Sequence, residues 1–195
     1  MTAQRHSVVY TIGHSTRSLD EFISLLKVYG IDTLVDVRAV PRSLHNPQFN
    51  KESLPDALKA VGIRYIHLPE LGGLRRAKAD STNLAWENKT FRGYADYMQT
   101  KEFTENLLGL AAFIQSSCVA IMCAEAVPWR CHRSLLADAL LVRNIKVKHI
   151  LTETSCTNHE LTPFAHVEGT RVTYPLYAIE KTQKTLSDFG SSRKM

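Results

Sequence analysis

No stretch of the 195-residue chain stays apolar for long. The longest apolar runs, around Leu107–Ile114 and Cys118–Ala124, fall far short of the ~20 residues that span a bilayer. Met1–Ser7 is polar and leads straight into a strand-like run, without the apolar core of about 7–15 residues that a secretory signal carries. A cytoplasmic protein with no membrane partner is therefore expected. Cysteine is sparse: Cys118, Cys123, Cys131 and Cys156 are the four present, and a cytosolic protein keeps them reduced. Internal repeats and low-complexity tracts are lacking, and so is a strong charge imbalance. The net charge of +5 permits a phosphate-bearing partner without requiring one.

What is present is an apolar fraction of 44%, enough for one domain spanning residues 1–195 to bury a core without disulfides or metal. Strand-like and helix-like segments alternate. His6–Ile12, Thr33–Val37, Arg64–Leu68, Val119–Met122 and Lys146–Leu151 read as strands. Leu19–Tyr29, Lys51–Val61, Thr100–Gln115 and His132–Val142 read as helices. Ser18 with Glu21 makes a capping box for the first helix and Gly30 stops it, while Asn50 is placed to cap the second. This alternation implies an α/β fold: a mostly parallel sheet with helices on both faces, a Rossmann-like three-layer sandwich. Its core should run from about residue 8 to 168, with a polar tail from about 181 to 195.

Ligands of open parallel sheets bind at the carboxyl ends of the strands. His14 and Ser15 follow the first strand. Asp36 ends the second, with Arg38, Arg42 and Ser43 behind it. Glu70 and the pair Gly72 and Gly73 follow the third. Cys123 and Glu125 follow the fourth, then Arg130, Cys131, His132 and Arg133. Reactive side chains thus gather on one edge, and His14, Asp36, Arg38, Glu125 and Arg133 should surround one cavity. His14, Asp36, Cys123, Glu125 and Cys131 are the catalytic candidates. The arginines, Ser15, Ser43, His132 and the two glycines are the substrate-binding candidates. His14 could equally be a hydrogen-bonded loop residue, and Asp36 a structural partner of Arg38.

Cys131–Arg133 opens a helix, where free backbone N–H groups and the helix dipole favour an anion. Cys131, beside Arg130, His132 and Arg133, should therefore be a more acidic thiol than Cys123, which emerges from an apolar strand. The alternative is a structural turn in which Cys131 packs and Arg133 pairs with Asp36 or Glu125. The Cys-x7-Cys-His spacing is not a usual zinc pattern, and a fourth ligand such as His14 would have to come from another strand. No metal is assigned, and cofactor and oligomeric state stay open. The long excursion from Pro69 to Gly93 interleaves Arg75, Arg76, Lys78, Lys89 and Arg92 with Trp86 and Phe91. It reads either as a lid or nucleic-acid contact, or as a loop that packs its tryptophan on the domain.

The segments Tyr10–Ser15, Asp36–Arg38 with Pro41–Ser43, Leu71–Gly73, Phe91–Ala95, Met122–Glu125, Cys131–Arg133 and His159–Leu161 resemble the signature blocks of the family with domain of unknown function 488. The match runs from about residue 8 to 168. It implies an α/β cytosolic protein and no particular reaction. Val35–Arg38 is in addition similar to the Asp-Val-Arg strand of rhodanese-like sulfurtransferases, with Cys123 placed like their persulfide-forming cysteine. Three functions stay in view. The first is an enzyme acting on a phosphate-bearing small molecule, such as a nucleotide, or on a nucleic-acid base. The second is a sulfurtransferase using Cys123. The third is a non-catalytic nucleic-acid-binding module using the Pro69–Gly93 excursion.

Overall fold

The sheet is built around a strand with no polar face. Val119–Cys123 is buried at all of its positions, as a central parallel strand covered on both sides must be. In the computed structural model, which describes residues 8–177, this strand is β4. It lies between β1 (Val8–Gly13) and β2 (Thr33–Asp36), both parallel to it. β3 (Arg64–His67) adds beyond β2 and β5 (Lys146–Ile150) beyond β1, again in parallel. The antiparallel β6 (Cys156–Asn158) completes the order β3-β2-β4-β1-β5-β6 among the described residues. A separate hairpin joins β7 (His166–Glu168) to β8 (Arg171–Thr173). These last three strands are too short for the alternation test to find. His6 and Ser7, where the first strand was expected to begin, and the expected tail at about 181–195 lie outside the described residues.

Helices α1 (Leu19–Val28) and α2 (Leu54–Ala60) cover one face of the sheet. Helices α3 (Lys89–Tyr97), α4 (Lys101–Ser116) and α5 (Arg133–Leu141) cover the other, which makes the α/β sandwich expected from the sequence. β4 shows the division residue by residue, because successive side chains of a strand point to opposite faces. Ala120 and Met122 join Phe22, Leu26 and Leu58 in one core. Val119 and Ile121 join Leu107, Leu110 and Leu135 in the other. No helix among the described residues is long and apolar enough to cross a membrane.

Local chemistry sets the helix ends. Ser18 Oγ accepts from the Glu21 amide at 3.1 Å, but the Glu21 carboxylate turns to Arg17, so only half of the capping box forms. α2 starts later than expected because Pro55 suits a first turn, while Asn50 accepts from the Ser43 amide at 2.6 Å and ties down the loop after β2. α3 was not expected at all, since Gly93 sits in its middle and lowers helix propensity. Asn88 caps it through the Thr90 amide at 2.8 Å, and the missing side chain lets Gly93 press against the backbone at Arg75–Ala77.

From β1 the chain moves to the β2 side of the sheet, and from the adjacent β4 it moves to the β5 side. The two connections part at the carboxyl ends of these strands, which is where a crevice must open.

Candidate active site

The floor of this crevice is backbone. The parallel ladder continues past the strands, with the His14 amide donating to Cys123 O at 3.0 Å and the Ser15 amide to Ala124 O at 2.8 Å. A side chain on Gly13 would overlap the carbonyl of Glu125. That same carbonyl accepts from Arg133 Nη2, so the loop after β4 is pinned between β1 and the start of α5.

On the β2 side, Asp36 is fully buried and Arg38 nearly so. Arg38 Nη2 donates to Asp36 Oδ2 at 2.6 Å and Nε to Oδ1 at 2.9 Å. The Tyr65 hydroxyl adds a third donor to Asp36 at 2.7 Å. Arg38 also reaches the Phe49 carbonyl at 2.7 Å and His14 Nε2 at 3.1 Å. His14 Nδ1 lies 2.9 Å from the carbonyl of Ser15, which can only accept, so Nδ1 carries the proton and Nε2 accepts from Arg38. Burial, with a further contribution from the Arg38 charge, lowers the His14 pKa to about 4 although the Ser15 carbonyl opposes it. His14 is stacked on Phe49, both of its nitrogens are used, and it is neutral at physiological pH. Asp36, Arg38 and His14 thus form a closed, internally satisfied wall.

The β4 side is different. Cys123, Cys131 and His132 bring their sulfur and ring-nitrogen atoms within 4.8 Å of one another. Cys131 Sγ lies 3.5 Å from His132 Nδ1 and accepts from Arg133 Nε at 3.5 Å. A hydrogen bond from the Cys123 thiol lowers the Cys131 pKa well below the usual thiol range, with His132 and Arg133 helping against the penalty of burial. The same bond and burial push the Cys123 thiol up. The two neighbouring thiols are thus pushed in opposite directions, Cys131 down and Cys123 up. Arg133 is 1% exposed, and no carboxylate among the described residues forms an ion pair with it. Its expected pairing with Asp36 or the Glu125 carboxylate does not occur: Arg38 occupies Asp36, and Glu125 offers its backbone carbonyl instead.

Two adjoining cavities open between these walls. One, of about 400 Å³, is lined by Cys123, Cys131, His132, Gly73, Leu74 and Phe91 among others. The other, of about 480 Å³, is lined by His14, Ser15, Thr16, Arg42, Ser43 and Asn46 on one side. Arg38, Val40, Ala124, Glu125 and Arg130 border both, so the two make one cleft. His14, Arg38 and Glu125 therefore do share a cavity edge, whereas Asp36 and Arg133 are buried behind it. Glu125 and Arg130 are exposed at the rim, and Arg42 is exposed beside Glu52. Gly73 lines the thiol end, where a side chain would overlap the His132 ring, and Gly72 is buried against Ala39 and Pro69.

The excursion after β3 packs on the domain. The Trp86 ring stacks on Phe91 with centroids 4.9 Å apart and meets Phe164 and Tyr174 edge-on. Asp96 gathers the Lys78 amide, Ser81 and Asn83. Sequence reasoning missed a buried polar chain behind α5. Thr11 Oγ1 lies 2.7 Å from His149 Nδ1, His149 Nε2 lies 3.0 Å from His159 Nδ1, and His159 Nε2 lies 2.8 Å from Asp138 Oδ1. Tyr174 and Thr162 donate to the other Asp138 oxygen. Only the pairing of strands and helices distant in sequence assembles this set, so no local spacing announces it.

The model of Domain of unknown function DUF488 matches residues 18–140. The chain belongs to this family. The matched span carries both walls of the cleft in this DUF488 protein, apart from His14, Ser15 and Thr16. No curated protein and no solved structure matches the chain, so the rhodanese-like resemblance finds no support there.

Proposed function

We propose that the cleft is the active site of an enzyme that uses the Cys131 thiolate as nucleophile on a phosphate-bearing substrate, such as a nucleotide. The observation that carries this reading is the buried Cys131 sulfur, set against Cys123, His132 and Arg133, which lower its pKa, at the border of a cavity large enough for a small molecule. Arg42, Arg130, Ser15 and Ser43 at the other end supply charge and hydrogen bonds for a phosphate. Arg38 contributes less, because Asp36, Phe49 and His14 already take four of its five N–H donors. His14 is likewise engaged at both nitrogens, which leaves Glu125, exposed at the border of both cavities, as the acid/base group. In this reading Cys131 Sγ bonds to an electrophilic centre of the substrate. The leaving group departs with the electron pair and takes a proton from Glu125 or water. The free thiols of Cys118, Cys123, Cys131 and Cys156 suit the reducing cytoplasm, where we place the protein.

The test is to incubate the reduced chain with a panel of nucleotides and map adducts by mass spectrometry. A substrate-derived adduct on Cys131, lost in Cys131→Ala, is expected. Binding of the same nucleotide should weaken about tenfold in Arg42→Ala and Arg130→Ala. Unchanged turnover in Cys131→Ala would overturn the reading. One added sulfur atom on Cys123 after exposure to thiosulfate would favour the sulfurtransferase. Salt-sensitive nucleic-acid binding that survives Cys131→Ala, with no adduct, would favour a binding module.

A further inference from the structure

We propose that Cys123, Cys131 and His132 also form a binding site for a thiophilic divalent ion of the zinc class, with a fourth coordination position open to the cavity. The spacing of the donors is the first argument. Zinc–sulfur bonds of about 2.3 Å and zinc–nitrogen bonds of about 2.0–2.1 Å, at tetrahedral angles, place sulfur and nitrogen about 3.5 Å apart and two sulfurs about 3.8 Å apart. Cys131 Sγ and His132 Nδ1 are 3.5 Å apart. All three donor atoms lie within 4.8 Å of one another, so closing round an ion requires a contraction of at most about 1.3 Å.

The surroundings suit the same occupant. Arg133 Nε donates to Cys131 Sγ at 3.5 Å, the kind of outer contact that fixes a thiolate ligand. Gly73 and Tyr94 hold the His132 ring from two sides, with Tyr94 centred 5.0 Å away. His132 Nδ1 contacts Cys131 Sγ, while Nε2 is buried without a hydrogen-bond partner among the described residues. Two thiolates cancel the charge of a divalent ion, which reduces the penalty of burying it beside Arg133. Binding requires both sulfurs as thiolates, and any thiol proton leaves to solvent. Three protein ligands and one open position are the arrangement of catalytic rather than structural zinc. The sequence alone left this group unassigned because Cys-x7-Cys-His is not a usual zinc spacing, and the end of β4 and the start of α5 meet only in the fold.

This inference does not rest on the proposed nucleophile. A bound ion would occupy the Cys131 lone pair and oppose that covalent chemistry. The two are measured separately, by adduct mass on the metal-free chain and by absorbance on the metal-loaded one. Titration of the full, reduced chain with Co2+ should give a thiolate-to-cobalt charge-transfer band and the strong visible bands of four-coordinate cobalt. The bands should saturate at one ion per chain and disappear on adding Zn2+. Cys123→Ser and Cys131→Ser should each weaken binding about a hundredfold or more, and His132→Gln about tenfold or more. The Cys118→Ser/Cys156→Ser double variant should bind as the parent does. If the site variants fail to fold, the parent chain still decides, because Zn2+ should protect Cys123 and Cys131, and not Cys118 or Cys156, from alkylation. Absence of a charge-transfer band in the parent would overturn the proposal. So would a band lost only with Cys118 and Cys156, or Zn2+ protection confined to those two residues.

Discussion

Arg38 and Arg133 are both buried cations at the carboxyl edge of one sheet, yet their surroundings differ. Arg38 faces a carboxylate, a backbone carbonyl and an imidazole lone pair, and the carboxylate has a further donor of its own in Tyr65. Most donors and acceptors on that wall are matched and the arginine charge is offset by Asp36, so it has little to spare for a substrate. Arg133 faces a carbonyl and a sulfur. Its compensating negative charge exists only while Cys131 is a thiolate. One wall is thus stabilised by a fixed charge pair, the other by an anion that a covalent bond or a metal can claim. Reactive groups collect where electrostatic matching is incomplete.

Removing the fixed charge should have the largest effect. Asp36→Asn leaves Arg38 buried without its counter-charge and should destabilise the chain by about 3–5 kcal/mol in urea unfolding. A loss below about 1 kcal/mol would mean that solvent already shields the pair and that the walls do not differ as argued.

Acid should act next, on His14 in the same wall and on His149 in the polar chain behind α5. The folded pKa values of His14 and His149 are both lowered from 6.5 to about 4, in each case chiefly by burial. Between these values the unfolded chain binds more protons than the folded one, so stability falls as pH drops from about 6.5 to about 4. Each imidazole contributes about 1.4 kcal/mol per unit of pKa difference. His14→Gln keeps an acceptor for Arg38 and removes one titration, so thermal melts across this window should show a shallower acid slope. An unchanged slope would assign the whole effect to His149 and other groups.

On the thiol wall the effect should appear in reactivity before stability. Arg133→Met should raise the Cys131 pKa, so the midpoint of the pH profile for its alkylation by iodoacetamide should move up by about one unit. In the parent chain Cys131 should be labelled well before Cys123, and the reverse order would place the anion on the wrong sulfur. The smallest effect should come from Ser18→Ala, remote from both walls, which removes the α1 cap and costs about 1 kcal/mol with no change in Cys131 labelling.

The sheet was legible because β1, β2, β4 and β5 carry apolar runs bounded by helix signals, and the edge that bears the cleft follows from strand direction alone. Cys131, at a helix start beside Arg133, could be singled out from local chemistry. The state of the opposite wall could not. Arg38 and Asp36 are two residues apart, but Tyr65, Phe49 and His14, which complete their matching, come from separate elements. α3 stayed hidden because Gly93 weakens its helical signal, although the Asn88 cap and the apolar spacing of Phe91, Tyr94 and Ala95 were there to be read. The chain of Thr11, His149, His159 and Asp138 depends on β1, β5, α5 and the segment after β6 meeting, and no spacing encodes that.

The two tryptophans stand on opposite sides of a solvent boundary. Trp129, between Cys123 and Cys131, is 66% exposed, whereas Trp86 is clamped among Phe91, Phe164 and Tyr174. Their fluorescence should therefore separate: red-shifted emission that iodide quenches from one indole, bluer and shielded emission from the other. In a Trp86→Phe chain all the tryptophan light would come from the loop that joins the two thiols. That loop then carries its own optical reporter, able to follow occupation of the cleft in real time without an added dye.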